Sequence, residues 1–104
     1  MELNRTFYAL SDPTRRAIIS RLSGGDVSIL ELASPFDMTL PAVSKHIRVL
    51  EKAGLLTRTK HGRVQYCRLN VNPLREAANW LAFYQQFWDA KLDSLADFLE
   101  ENSD

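Results

Sequence analysis

Caps and breakers limit what this chain can fold into. They fall at Asp12-Pro13, Gly24-Gly25, Ser28, Pro35, Thr39, Gly54 and Asn72-Pro73, so no helix before residue 72 can be long. Leu3, Phe7 and Leu10 share one face of a first helix over residues 1–10, which ends at Ser11-Asp12-Pro13. Asp12 is placed to cap a second helix with Pro13 at its first position, where a missing N–H does no harm and the fixed φ already suits a helix. Ala17, Ile18 and Leu22 are expected on the buried face of that helix. Gly24-Gly25 stops it, because glycine accepts the left-handed conformation that follows helix ends.

Ser28 and Glu31 have the spacing of a capping box, in which each side chain satisfies the other's backbone donor. A short third helix through Ile29, Leu32 and Ala33 follows, and Pro35 breaks it. Thr39 caps a fourth helix that runs through Leu40, Val43, Ile47 and Leu50 to Gly54, so residues 28–54 read as two short helices joined by a tight turn. Residues 55–60 and 63–69 read as strands around a two-residue His61-Gly62 loop, which makes 55–69 a β-hairpin. Leu56, Cys67 and Leu69 then share a face near its base, while Lys60 and Arg63 sit at its tip. Leu74, Leu81, Trp88, Leu92, Leu95 and Leu99 recur at helical spacing in a long last helix over 73–100. The expected fold class is mainly α with a small β-hairpin. It is one winged helix-turn-helix domain over residues 1–104, with about five helices plus a two-stranded wing.

A chain of 104 residues has a thin core for two Trp, three Tyr and five Phe, which favours an oligomer that covers the surplus. The net charge of zero conceals a segregation. Residues 1–38 carry four basic and five acidic groups, residues 39–69 seven and one, and residues 70–104 two and seven. No stretch approaches the roughly 18 consecutive apolar residues of a membrane span, and Met1-Glu2-Leu3-Asn4-Arg5 does not open a signal peptide. The single cysteine, Cys67, cannot form an intrachain disulfide, so the expected location is cytoplasmic, without a membrane partner.

On a wheel of 100° per residue, Leu40, Val43, Ile47 and Leu50 face the core, and Pro41, Lys45, Arg48 and Lys52 face away. Cations on such a face reach phosphates, and Arg presents a two-pronged fork to guanine in a major groove. A solvated basic stripe is the blander alternative. Arg58, Lys60, His61 and Arg63 add a second basic element, where a projecting wing can lie along a neighbouring phosphate backbone.

Three stretches carry a likeness: Phe7-Tyr8-Ala9-Leu10-Ser11-Asp12-Pro13-Thr14-Arg15-Arg16, Glu31-Leu32-Ala33, and Pro41-Ala42-Val43-Ser44-Lys45-His46-Ile47-Arg48-Val49-Leu50-Glu51. It continues through Ala53-Gly54-Leu55-Leu56 and Gly62-Arg63 to Tyr66 and Leu69. Over essentially its whole length the chain resembles the ArsR-type winged-helix transcriptional regulators. The helix bearing Trp80, Tyr84, Phe87 and Trp88 is similar to a metal-independent branch of them. The resemblance implies a homodimeric repressor whose partner is double-stranded DNA. By position it implies DNA contacts from Ser44, Lys45, His46 and Arg48, and from Arg58, Lys60 and Arg63 in the wing. Pro41 and Lys52 join them from the open face of the wheel, and Thr39 is first a helix cap whose place at the helix start also lets it meet a phosphate. His46 lies near the edge of the buried face, where a structural hydrogen bond and a phosphate contact are alternatives. The implied dimer interface takes Leu3 and Phe7 from the first helix and Trp80, Tyr84, Phe87, Trp88, Leu92 and Leu95 from the last.

Metal-sensing members of that family carry thiols in the third helix, or His and carboxylates in the last. Here the third helix offers Ser28, Ile29 and Leu30, and the last offers Asp89, Asp93 and Asp97 without histidine, so neither a metal nor a cofactor is expected. Those carboxylates are read as a solvated face in preference to a hard-cation site, and Cys67 as packing in preference to a redox switch. Large aromatics at helical spacing, Phe83 included, are read as interface in preference to a ligand pocket, and a small-molecule effector is left unassigned. No nucleophile with a base, paired-carboxylate site or glycine-rich phosphate loop is present, so an enzyme is not expected. The alternatives are a winged-helix protein-interaction module, or a ligand- or redox-responsive regulator of the same family.

Overall fold

The computed structural model describes residues 3–101, so the first two residues of the expected N-terminal helix lie outside the described range. In chain order the elements are α1 (Leu3–Leu10), α2 (Pro13–Leu22), β1 (Val27–Ser28), α3 (Ile29–Ala33), α4 (Leu40–Lys52), β2 (Leu56–His61), β3 (Val64–Leu69) and α5 (Asn72–Glu101). The caps act where the sequence places them. Asp12, extended at φ −111° and ψ 133°, accepts from the Arg15 N–H at 3.1 Å. Ser28 accepts from the Glu31 N–H at 3.2 Å and Thr39 from the Ala42 N–H at 3.3 Å. Each such cap stabilises its helix by about 1 kcal/mol. The box at Ser28 is only half formed, because Glu31 Oε1 accepts from the Ser28 hydroxyl at 3.1 Å while the Ser28 backbone belongs to a strand.

That strand adds a third to the expected two-stranded wing, which is the β2–β3 hairpin. β1 pairs antiparallel with β3, Val27 opposite Cys67 and Ser28 opposite Tyr66, giving a three-stranded sheet in the order β1-β3-β2. Arg68 fixes its outer end by donating to both carboxylate oxygens of Asp26, one at 2.9 Å, and these bonds hold the Asp26 carboxyl below its ordinary value.

The hairpin also turns one residue later than expected. His61 pairs with Val64, and Gly62-Arg63 makes the turn, with Gly62 at φ 64° in the first central position as in a type II′ turn. Sliding a two-residue loop by one residue moves the register by two, so every side chain keeps its face. Leu56 now opposes Leu69, and Cys67 lies on the same face, as the sequence implies.

The core gathers Ile18, Leu22, Leu32, Val43, Ile47, Leu50, Leu55, Leu56 and Cys67 from both helices and sheet. Two expected core residues are not in it. Ala17 is exposed, since the inward side of α2 near its start is taken by the larger Arg15. Leu40 is also exposed, because it is the first residue of α4 and no element covers that turn. At the other end of α4, Gly54 at φ 75° closes the helix with bonds from its N–H to Glu51 O and from Leu55 N to Leu50 O. Asn70 then joins this end to α5, donating to Gly54 O and accepting from the Asn72 N–H.

α5, 30 residues and about 45 Å long, lies against α1 only at its beginning, where Phe7 meets Trp80 edge to face at 5.7 Å. Ala77 is its one buried residue among those described, and the protomer measures 71 × 29 × 22 Å. No helix is long and apolar enough to cross a membrane among the described residues.

Candidate nucleic-acid interface

α4 is held by Val43, Ile47 and Leu50, all fully buried. This anchoring turns Pro41, Lys45, Arg48 and Lys52 outward, and all four are exposed; Ser44 lies at the margin, half-buried. Thr39, also exposed, uses its hydroxyl in the cap. In the wing, Lys60, His61 and Arg63 are exposed, with Arg63 in the turn itself and His61 edge-on to Tyr66 at 5.8 Å. Lys45, Arg48, Lys52, Lys60 and Arg63 hold no ion pair with another described residue, so α4 and the wing present unneutralised cations.

Arg58 is placed differently. Its Nε donates to Glu51 Oε1 at 2.7 Å, its second guanidinium nitrogen reaches the same oxygen at 2.6 Å, and a weaker bond runs to Gln65. The half-buried pair ties the wing to the last turn of α4 and fixes the angle between the two basic elements. The single acidic group of residues 39–69 is thereby spent on alignment.

His46 makes the structural hydrogen bond, one of the two alternatives the sequence offers. Arg15, only 7% exposed, donates from Nε to Ala9 O at 2.8 Å and from Nη2 to Tyr8 O at 2.9 Å, and its guanidinium stacks 5.0 Å from the Tyr8 ring centre. Its Nη1 lies 3.2 Å from His46 Nδ1. A guanidinium has only donors, so Nδ1 accepts and the ring proton of the neutral imidazole sits on Nε2. Burial pushes the Asp12 carboxyl up, but the Arg15 N–H, the charge that His46 carries only when protonated 3.8 Å away, the Thr14 N–H and the Arg15 charge outweigh it and leave Asp12 below its ordinary value. Arg15 thus closes the C-terminus of α1, and with Asp12 at the start of α2 it meets the middle of α4. Sequence periodicity does not detect this arginine, because its partners are backbone carbonyls of the preceding helix.

The residues expected at a dimer interface lie along α1 and one side of α5, where Lys91 also rests over the Phe87 ring at 5.2 Å. Trp80 sits between Phe7, which it meets edge to face, and Tyr84, tilted against it at 4.8 Å, and Tyr84 also meets Phe83. Beyond them Phe87, Trp88, Leu92 and Leu95 stand exposed, together with Leu81, Phe98 and Leu99. Leu3 and Phe7 are half-buried beside this surface. Asp89, Asp93 and Asp97 are exposed, one helical turn apart.

Cys67 is fully buried opposite Arg58. Burial pushes its thiol up, Arg58 pulls it down and Glu51 pushes it up, with a net rise. A protonated, inaccessible thiol is a poor nucleophile and a poor metal ligand. In the native protein it is expected to react with dithiobisnitrobenzoate at least about a hundredfold more slowly than in denaturant, since access requires opening of the core. Comparable rates would place the thiol at the surface.

A capped helix-turn-helix with an outward cationic helix, flanked by a basic wing, defines a winged-helix DNA-binding protein. Residues 10–59 match a helix-turn-helix domain family. The transcriptional repressor SdpR of Bacillus subtilis is 35% identical over 79 residues, covering 76% of this chain and 88% of that protein. The HTH-type transcriptional regulator Rv2034 of Mycobacterium tuberculosis is 33% identical over 101 residues, covering 97% and 92%. The crystal structure of the ArsR family transcriptional regulator RHA00566 superposes with a TM-score of 0.79 at 46% identity, over 85% of this chain and 91% of that one. The homodimeric winged helix-turn-helix domain Mb0332 of Mycobacterium bovis has a TM-score of 0.63 at 25% identity, over 88% and 82%. The arsenical resistance operon repressor of Escherichia coli matches at 34% identity over 62% of this chain and 56% of that protein. The chain belongs to the ArsR family of winged-helix transcriptional regulators.

Proposed function

We propose that the protein is a cytoplasmic, homodimeric repressor that places its two α4 helices in successive major grooves of an inverted-repeat operator, roughly 34 Å apart. The observation that carries this reading is the set of exposed cations Lys45, Arg48, Lys52, Lys60 and Arg63 on α4 and its wing, which have no ion-pair partner among the described residues. Lys45 and Arg48 project from the middle of α4 towards base edges, with Thr39, Pro41 and Ser44 nearer its start. Lys52, Lys60 and Arg63 take phosphates. Arg58 and His46 act behind them, through Glu51 and Arg15.

The dimer is proposed to form through α1 and α5. At 100° per residue, the apolar side chains of α5 from Phe83 round to Leu92 span about 180° of the helix. One facing helix needs an apolar stripe of about 100°. An arc this wide suits contact with both α1 and α5 of the mate, which also covers aromatic surface a lone protomer would expose. Mb0332, of the same fold, is a homodimer.

Regulation independent of metal is part of the reading. Ser28 is committed to its cap, Ile29 and Leu30 are apolar, and Cys67 is sealed in the core. The aspartates of α5 lie on the side away from its aromatic arc, where water solvates them.

Binding by single variants tests the division of roles. Arg48→Ala is expected to weaken operator binding by about 1–3 kcal/mol and random-sequence binding much less. Arg63→Ala is expected to weaken both about equally and to reduce the salt slope by about one. Equal losses on both sequences for Arg48→Ala would remove it from base reading.

A further inference from the structure

α4 starts with Leu40, whose side chain is 44% exposed, and Leu30 of α3 is 72% exposed. Both border an open cleft of about 230 Å³ that also takes in Val64 and Arg63 of the wing. Leu40 does not hold α4 to the core, which Val43, Ile47 and Leu50 do, nor does it cap the helix, which Thr39 does. Exposing a leucine to water gives up the stability that burial would supply. One cation, Arg63, lines the same cleft, and the exposed Lys45 and Arg48 follow further along α4 on a different side of the helix.

Its place at the start of α4, beside Arg63 of the basic wing, sets this apolar side chain against the duplex proposed to bind there. The apolar group that a duplex displays in its major groove is the C5-methyl of thymine. The first residues of a recognition helix are those that come nearest the base edges. We propose that Leu40 is a specificity-determining residue that packs on a thymine methyl in each operator half-site, so that the protein reads thymine by shape beside the hydrogen bonds of Arg48. This rests on the DNA-binding reading above.

The test begins with an operator selected from random duplex DNA by the dimeric protein. Each thymine is then replaced in turn by deoxyuridine, which deletes the methyl and keeps every hydrogen-bonding group. Loss of one buried methyl is expected to weaken binding about fourfold, and loss at both symmetric positions about fifteenfold. Leu40→Ala should bring the thymine-to-uracil ratio at those positions to about one, while Leu40→Met, still apolar and long, preserves it. Because Leu40 is exposed, the alanine variant should melt close to the wild type; if it melts early, Leu40→Gln removes the same apolar contact in a helix-compatible side chain. Uracil effects that persist in these variants, or an operator indifferent to uracil throughout, would overturn the proposal and leave DNA binding intact. If no sequence is enriched in the selection, both fall together.

Discussion

Arg15→Met is expected to lower the thermal midpoint by about 15 °C, equivalent to roughly 3 kcal/mol in a domain of this size. Methionine keeps much of the volume and loses every donor. Ala9 O at the end of α1 would then lose the donor that now reaches it at 2.8 Å, while Tyr8 O, which Arg15 reaches at 2.9 Å, keeps the Ser11 N–H and hydroxyl. An unsatisfied buried acceptor costs about 1–3 kcal/mol. His46 Nδ1 loses its donor as well, so the middle of α4 is released from the α1–α2 corner. Arg16 is the control. It also bonds a carbonyl, Leu10 O at 2.8 Å, but in solvent, and Arg16→Met should change stability by no more than about 0.5 kcal/mol. Melting both variants at one protein concentration, because a dimer's midpoint depends on concentration, decides the matter. Equal small effects would show that Arg15 does not brace the corner.

The second large effect is expected from Trp88→Asp. Trp88 is 60% exposed in the protomer, so aspartate there leaves the winged helix folded and acts only where two protomers meet. Each indole withdrawn forfeits about 1.5–3 kcal/mol of apolar burial, and each carboxylate forced into the interface costs several more. In a two-fold dimer both effects occur twice. Dissociation should be favoured by at least about 6 kcal/mol, roughly four orders of magnitude in the dimer constant. Sedimentation velocity should show monomers of native helical content, with operator affinity lost because two half-sites no longer act together. Gln86→Asp, on the acidic side of α5, should remain dimeric. A Trp88→Asp dimer would mean that α5 does not form the interface.

Local chemistry was legible in the sequence and non-local chemistry was not. Asp12, Ser28 and Thr39 were recognisable as caps because a cap is a relation between residues three apart. β1 was not, since two residues have no period, and Val27 and Ser28 become a strand only when β3 arrives from almost 40 residues away. The wing's faces followed from alternation, which survives a two-residue change of register, while the place of its turn did not. Leu40 fits the helical stripe by angle, but an angle does not say whether anything covers the first turn. At the candidate interface, the cations of α4 were legible by their spacing. Arg58 and His46 also engage Glu51 and Arg15, pairings that the sequence does not reveal because only the fold brings those partners near.

The central claim is that a dimer reads duplex DNA through α4 and the wing, and fluorescence anisotropy tests it most directly. A labelled duplex carrying the selected operator and a scrambled duplex of equal length are each titrated with protein across a series of salt concentrations. The expected result is one dimer per operator, with scrambled DNA bound at least about a thousandfold more weakly. Affinity should fall steeply with salt, with a log–log slope between about −5 and −9 for five cations on each protomer. No binding to either duplex at low salt, or equal affinity for both with little dependence on salt, would contradict it.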